Sequence, residues 1–156
     1  MRKKKSAATA RGEFEFVVEP AMLNHLGILH GGSLVKKFDS SAGYIAAKFS
    51  EGKVVTAAML AVNFDQRIPC GQMVKIKSEI FAVGKSSMKV KVEVLSAAMN
   101  GSAYQKAGSA FLVFIGVDDD FKSRQVPELY FDNEAACKRA EELSQQFDQL
   151  KEAAQG

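Results

Sequence analysis

Long apolar runs, paired cysteine motifs and histidine clusters are all missing from this sequence of 156 residues. No run approaches the roughly 20 apolar residues that a membrane span needs, so insertion into a bilayer is not expected. Cys70 and Cys137 form no CxxC pair, and with only two histidines in the chain a metal site is not expected. Two free thiols, the common state in a reducing cytoplasm, are favoured over one disulfide between them.

The net charge of +3 comes from one end of the chain. Residues 1–12 hold five of the 21 basic residues and no acid, which leaves 16 basic against 18 acidic residues in the rest. Such a distribution does not fit a surface built for nucleic acid. Because no apolar segment follows the basic start, a secretory signal is not expected, and a disordered tail over 1–12 is favoured over a short transit peptide.

The periodicity of apolar residues predicts one strand, one long helix, four further strands and a terminal helix. Residues 13–19 alternate Phe and Val with Glu, as a half-buried strand does. Residues 33–49 place their large apolar side chains within a helical arc of about 120°, and Ser33 stands where an N-cap is expected. Four β-type runs with hairpin turns between them follow at residues 53–65, 72–83, 87–97 and 105–117.

This order of elements predicts an α+β domain over residues 13–131, in which an antiparallel sheet is wrapped around one long central helix. An additional C-terminal helix is expected over 132–156, with Asp132 as its N-cap. That helix carries an apolar stripe of residues spaced three and four apart. The stripe suits packing on its own domain or on a neighbouring subunit, and the sequence leaves both arrangements open.

The stretch NHLGILHGGSLVKKFDSSAG, residues 24–43, combines both histidines, four glycines and one acid on a buried helix. Gly32 and Asp39 lie on the same side of that helix, about 10 Å apart along its axis. Amides at a glycine-opened helix start can polarise a carbonyl, and a carboxylate two turns later can activate water or attack as a nucleophile. These parts suit acyl transfer or hydrolysis. Glycines at a helix start are also common as structural features, and an acid at a helix edge is more often solvated or ion-paired.

This stretch, followed by VVTAAMLAVNF, VGKSSMKVKVEV, AGSAFLVFIGVD and QVPEL, resembles the hot-dog-fold acyl-CoA thioesterases over about residues 14–130. The nearest likeness is to the cytosolic and brain acyl-CoA hydrolases and their single-domain bacterial relatives. The resemblance implies a hot-dog fold and the hydrolysis of acyl-CoA to a free acid and CoA, in the lipid metabolism of the cytoplasm. It implies no cofactor.

The resemblance also implies roles for particular residues. Asn24 matches an asparagine that orients the water or the thioester, and Asp39 matches an acid that acts as general base or nucleophile. The amide of Gly32 would polarise the thioester carbonyl, which completes the expected catalytic set. Expected contacts with the substrate and with CoA come from His30, Gly31, Val55, Thr56, Ala57, Gly84, Lys85, Ser86 and Ser87.

Members of this family pair into double hot dogs, and three pairs commonly form a hexamer. Because the asparagine and the acid come from different units, a homodimer of this chain would contain two equivalent sites. In each, Asn24 of one chain would face Asp39 of the other. Two other functions stay open: a hot-dog enoyl-CoA hydratase or dehydratase, with His25 or His30 beside Asp39, and a non-catalytic acyl-CoA-binding sensor.

Overall fold

The structure, a computed structural model, describes residues 2–155 as a main sheet with one helix on each face and a small second sheet. The helices are α1 (Gly31–Ser50) and α2 (Glu134–Gln155). Within the described residues, neither is long and apolar enough to cross a membrane. The strands are β1 (Lys4–Ser6), β2 (Arg11–Val17), β3 (Val54–Phe64), β4 (Met73–Val83), β5 (Ser87–Ala97), β6 (Gln105–Gly116) and β7 (Glu128–Tyr130).

The main sheet has the strand order β2-β4-β5-β6-β3, and each neighbouring pair is antiparallel. Alternate residues of its central strands face α1 and are fully buried, because the side chains of a strand point to opposite faces in turn. α1 contacts all five strands. Its buried stripe consists of Leu34, Phe38, Ala42, Ala46 and Phe49. One sheet wrapped around one central helix is the hot-dog fold, which confirms the predicted fold class.

α1 begins two residues before the predicted start because its N-cap is His30 and not Ser33. His30 has an extended backbone, and its Nδ1 accepts a hydrogen bond from the N–H of Gly32 at 2.9 Å. Ser33 therefore lies within the first turn. At the other end Glu51 adopts a left-handed conformation, with φ of 59°, and its N–H donates to the carbonyl of Ala47.

The connection from β3 to β4 is not the hairpin that the pattern of turns predicted. β3 pairs with β6 at one edge of the sheet, whereas β4 lies between β2 and β5. Residues 65–72 run between these positions: Asp65 N–H donates to Ala107 O, and Gly71 N–H donates to Val18 O, both at 2.8 Å. Turn residues mark where a strand ends. They do not determine which strand becomes its neighbour.

The basic segment before β2 is ordered, in contrast to the disordered tail predicted for residues 1–12, of which residue 1 lies outside the described range. β1 pairs with β7 in a parallel two-stranded sheet. Arg2 Nε donates to Val126 O at 2.7 Å, and Lys5 Nζ donates to Phe49 O at 2.8 Å. These acceptors are distant in the sequence, so no local pattern of charge or hydropathy reveals them.

α2 packs on its own domain, on the face of the sheet opposite α1. The ring of Phe147 lies 6.2 Å from that of Phe81 and 5.8 Å from that of Phe111, in tilted and edge-to-face arrangements. This cluster buries the middle of the predicted apolar stripe against the chain's own sheet. The N-cap lies one residue later than expected, because Asn133, not Asp132, accepts a hydrogen bond from a first-turn amide, at 2.8 Å.

Candidate functional site

Asn24 lies in the loop before α1, and its side chain shapes that loop. Its Oδ1 accepts hydrogen bonds from the N–H of Leu26 at 2.9 Å and from the N–H of Ile28 at 3.4 Å. The Asn24 N–H closes the same turn on the carbonyl of Ile28 at 2.8 Å. The side-chain oxygen is thus occupied within the loop, and the half-buried Nδ2 amide is the group that can donate to a ligand.

The N–H of Gly32 is already paired, because it donates to His30 Nδ1 at 2.9 Å. As an acceptor, Nδ1 carries no proton, so the neutral ring carries its proton on Nε2. Gly31 starts the helix beside the ring of Phe64, and a Cβ added there would lie 3.4 Å from that ring. The Gly32 amide, expected to polarise a substrate carbonyl, is held by the capping His30, and no pattern in the sequence indicated this bond.

Asp39 and Thr56 are brought into direct contact where α1 crosses β3. The Thr56 hydroxyl donates to Asp39 Oδ1 at 2.8 Å. Asp39 is half-buried, as its position at the edge of the apolar stripe predicted, and Thr56 is exposed. The bond fixes one carboxylate oxygen and leaves Oδ2 available to a proton or to an electrophile. The sequence indicated both residues separately, but their pairing depends on how the helix crosses the strand.

β3 forms one edge of the main sheet and carries the exposed segment of Val55, Thr56 and Ala57. Within residues 2–155, no strand pairs with its outer side. Phe64, at the end of the strand, is 53% exposed. An edge strand of 11 residues with exposed apolar side chains is a surface suited to pairing with another strand.

The turn of residues 84–87 directs all four of its carbonyl oxygens towards donors of the protein. Gly84 O accepts from Arg2 Nη2. Backbone N–H groups donate to the other three: Val126 to Lys85 O at 2.9 Å, Gly116 to Ser86 O at 2.8 Å and Gly84 to Ser87 O at 2.9 Å. The N–H groups of Lys85 and Ser86 have no protein acceptor in the described part of the chain. The turn thereby presents amides, the Lys85 ammonium and two hydroxyls, which are groups that bind anions.

The expected site residues lie in two separate places within one chain. Ser87 and Val55 both pair with Ile115 of β6, so the turn lies two strand spacings from β3, about 10 Å, at the end near Thr56. Asn24 and Gly32 lie at the start of α1, near the opposite end of β3. Neither contacts Asp39 in the structure. His25 and His30 do not contact Asp39 either, so one chain does not assemble the histidine–acid pair of a hydratase.

A groove of about 830 Å³ runs between α1 and β2 and is lined by aromatic, basic, serine and aliphatic side chains. Neither this groove nor two smaller ones is lined by Asp39 or Thr56. The Asp39–Thr56 pair therefore lies on an open surface of the single chain. Among residues 2–155 no group of three or more metal-ligating side chains occurs, and both cysteines are free.

The chain is similar in sequence to proteins of one class. Residues 26–101 match the Thioesterase superfamily. The chain is 30% identical over 142 residues to the cytosolic acyl coenzyme A thioester hydrolase of Mus musculus, a match that covers 90% of this chain and 37% of that protein. The chain thus spans little more than a third of that relative. An uncharacterized acyl-CoA thioester hydrolase of Zymomonas mobilis is 30% identical over 113 residues, which cover 72% of this chain and 76% of that protein.

Solved structures with the same fold extend over nearly the whole chain. An acyl-CoA hydrolase from Staphylococcus aureus, in complex with butyryl coenzyme A, coenzyme A and coenzyme A disulfide, has a TM-score of 0.86 and 26% identity, covering 97% of this chain and 92% of that one. Alanine variants of the S. aureus acyl-CoA hydrolase replace an asparagine, an aspartate fifteen residues later and a threonine seventeen residues beyond that. An apo-hexameric acyl-CoA thioesterase has a TM-score of 0.88 and 25% identity, covering 97% of both chains.

Proposed function

The chain belongs to the family of hot-dog acyl-CoA thioester hydrolases, and on this premise we propose that it hydrolyses acyl-CoA to a free acid and CoA. The observation that carries the proposal is the hydrogen bond of 2.8 Å between Thr56 and Asp39. It holds a half-buried carboxylate, with one oxygen free, on an open surface at the strand edge. We also place the reaction in the cytoplasm, because the mammalian relative is named a cytosolic enzyme.

In the proposed reaction Asp39 Oδ2 takes a proton from water while the water oxygen attacks the thioester carbonyl carbon. The carbonyl oxygen becomes an oxyanion, and its collapse breaks the bond between carbon and sulfur. The proton held by Asp39 then passes to the CoA thiolate, so that a free acid and a thiol leave and the carboxylate is restored. In the second form of the same proposal, Asp39 attacks the carbonyl carbon, the bond between carbon and sulfur breaks to release CoA, and water then hydrolyses the resulting mixed anhydride to the free acid and the restored carboxylate.

The sequence spacing between Asn24, Asp39 and Thr56 supports their assignment to the catalytic site. Asn24, Asp39 and Thr56 are separated by fifteen and seventeen residues, the spacings of the asparagine, aspartate and threonine replaced in the Staphylococcus aureus variants. We assign to Asn24 the orientation of the water or the thioester, through its Nδ2 amide. Thr56 orients the Asp39 carboxylate.

The start of α1 is the proposed site of the oxyanion. Amides at a helix N-terminus stabilise negative charge, and Gly32 has no side chain to keep a ligand away. His30 Nδ1 occupies the Gly32 N–H in the free protein. We propose that the imidazole turns aside when the thioester carbonyl arrives, so that one acceptor replaces another and the amide stays paired.

We propose that the complete site forms between two chains paired through β3. Antiparallel pairing about a two-fold axis would place the Phe64 end of one β3 beside the Thr56 end of the other. The start of α1, with Asn24 and Gly32, would then approach the partner's Asp39. The separation of these residues within one chain and the unpaired outer side of β3 both support this arrangement.

Three such dimers would form a hexamer. Hexameric thioesterases are among the solved structures with this fold, including a broad-specificity acyl-coenzyme A thioesterase with a TM-score of 0.70 and 26% identity. We assign the CoA phosphates or pantetheine to the turn of residues 84–87, whose free donors support anion binding. We also assign contacts with the substrate to Val55, Thr56 and Ala57, together with His30 and Gly31.

One assay tests the proposed reaction. The purified protein is incubated with saturated acyl-CoAs of increasing chain length, and released thiol is measured. Asp39→Asn, which keeps the shape of the side chain, is expected to lower kcat by about a thousandfold, because a general base typically contributes two to four orders of magnitude. Hydration of an enoyl-CoA without thiol release would replace the thioesterase by a hydratase. Acyl-CoA binding without turnover would replace it by a sensor.

A further inference from the structure

The side chain of Arg2 connects the N-terminal strand to the turn of residues 84–87. Its Nε donates to Val126 O at 2.7 Å, and its Nη2 donates to Gly84 O. Glu128 lies 3.7 Å from Nη1 and is the carboxylate that faces the guanidinium. The Arg2 side chain is 24% exposed, so these bonds are partly shielded from water. A planar guanidinium with several donors suits such a double contact, which a lysine cannot reproduce.

Arg2 and Val126 hold adjacent parts of the turn in one orientation. Val126 accepts from Arg2 through its carbonyl and donates through its N–H to Lys85 O at 2.9 Å. Gly84 O accepts directly from Arg2. Two consecutive carbonyls of the turn are thereby drawn towards the protein. Since a peptide group is planar, turning its carbonyl inward turns its N–H outward, and these N–H groups belong to Lys85 and Ser86.

We propose that Arg2 is a positioning residue for CoA recognition, which rests on the proposed function. By holding the carbonyls of Gly84 and Lys85 inward, Arg2 keeps the amides of Lys85 and Ser86 directed towards the phosphate oxygens of CoA. Without Arg2, Gly84 O loses its donor and its peptide is free to rotate, which would direct a carbonyl oxygen at the phosphates. Arg2 thus serves substrate binding through the turn. Arg2 itself does not touch the reacting atoms.

The test compares two substrates with Arg2→Ala. One is an acyl-CoA, and the other is the matching acyl-N-acetylcysteamine thioester, which has the reacting group but no phosphates. For acyl-CoA we expect KM to rise about tenfold with kcat unchanged, the size of effect that loss of a charged hydrogen bond produces. For the short thioester kcat/KM should not change. Equal losses with both substrates, or an unchanged KM for acyl-CoA, would overturn the proposal.

Two further variants separate positioning from general stability and charge. Lys4→Ala removes an equal charge from an exposed side chain two residues away, and it should leave KM unchanged. Arg2→Lys keeps the charge but should recover only part of the affinity, because one ammonium does not reproduce the two bonds. Full recovery with lysine would show that charge alone matters and would contradict the positioning role.

Calorimetric titration with CoA measures binding without reaction, so it tests the role of Arg2 independently of the proposed hydrolysis. Arg2→Ala should weaken CoA binding about tenfold, whereas Lys4→Ala should leave it unchanged. If the protein binds CoA in an Arg2-dependent way but releases no thiol from acyl-CoA, the proposed reaction fails and the role of Arg2 stands. If Arg2→Ala binds CoA as tightly as the wild type, the role of Arg2 fails whatever the activity. Faster amide exchange at Val126, whose N–H donates to Lys85 O, is the expected structural signature in Arg2→Ala.

Discussion

At the scale of single residues, the contact between Thr56 and Asp39 gives the sharpest prediction. Thr56→Val keeps the shape of the side chain but removes the hydroxyl that donates to Asp39 at 2.8 Å. Because a hydrogen bond to a charged group contributes about 1.5–3 kcal/mol, we expect kcat for acyl-CoA to fall roughly 10- to 100-fold. Thr56 is exposed, so the melting temperature should change little. Thiol release and thermal melting measure the two effects.

Thr56→Ser is the matched control, because it retains the donor and removes only a methyl group. It should keep most of the wild-type kcat. If Thr56→Val is as active as the wild type, the hydroxyl has no part in orienting Asp39. In that case the Asp39 carboxylate acts without this partner.

The sequence predicted the burial of Asp39 but not the contacts of the proposed site residues. Helical geometry placed Asp39 at the edge of the buried stripe, and the structure confirms that it is half-buried. Its bond to Thr56 and the capping of Gly32 by His30 were not predicted. The first depends on the crossing of two elements. The second depends on the rotamer of a loop side chain, which composition does not encode.

At the scale of elements, Arg124 joins the end of α1 to the start of β3. Its guanidinium donates to Ser50 O at 2.8 Å and to Ser50 Oγ, Lys53 O and Val117 O at 2.9 Å each. Arg124→Met keeps much of the apolar stem but leaves these acceptors, three of them in partly buried bonds, without the Arg124 donor. We expect a loss of about 2–4 kcal/mol in the free energy of unfolding, measured by urea denaturation.

Arg67→Met serves as the control for Arg124, because Arg67 is exposed and makes no side-chain hydrogen bond or salt bridge within residues 2–155. Its free energy of unfolding should stay within about 0.5 kcal/mol of the wild type. An equal loss of unfolding free energy in both variants would mean that the change in net charge causes the destabilisation. The network around Ser50 would then contribute nothing specific.

The same end of α1 gives a prediction for the dependence of stability on pH. A hydrogen bond from the Lys3 ammonium, with the charges of Lys3 and Lys5, lowers the pKa of Glu51 below its ordinary value of 4.5. Because the folded pKa is the lower one, the stabilisation is present above pH 4.5 and is lost as the pH falls through the folded pKa. We therefore expect Glu51→Gln to melt slightly lower than the wild type at pH 7.

That difference in melting temperature should shrink below pH 4.5 and vanish once Glu51 is protonated in the folded wild type. Lys3→Ala should reproduce most of the effect, since Lys3 is the main cause of the lowered pKa. Thermal melts from pH 3 to 7 measure it. A difference that stays constant with pH would assign the effect to the helix terminus rather than to the ion pair.

The elements themselves were largely predictable, whereas their order in the sheet was not. Alternation of apolar and charged residues located β4 and β5, and the buried stripe located α1. The position of β3 beside β6 is a non-local pairing, selected because both edges of β4 are occupied by β2 and β5. β1 was predicted as disordered for a related reason, because its partner β7 lies more than a hundred residues later.

At the scale of the whole molecule, mixing two inactive variants tests whether the site is shared between chains. Asn24→Ala and Asp39→Asn should each have little activity alone. After subunit exchange, a mixed dimer would contain one site with both original residues. Random exchange of equal amounts should then restore about a quarter of the wild-type activity, because half of the dimers are mixed and each has one intact site.

Native mass spectrometry confirms the exchange in that experiment. Mixed dimers without recovered activity would place Asn24 and Asp39 in the same site of one chain. A sample in which Asp39→Asn is mixed with itself under the same conditions should stay inactive.

The parallel pairing of β1 with β7 affects the order in which the molecule can fold. Arg2 and Val126 are 124 positions apart, so their contact closes nearly the whole chain into a loop. Contacts of such long range form late, because the intervening chain has to be ordered first. During synthesis β1 is made long before β7, so the two strands can pair only after β7 has left the ribosome. On heating, the short pair should separate before the main sheet, so the orientation of the turn at residues 84–87 would be lost while the core remains folded.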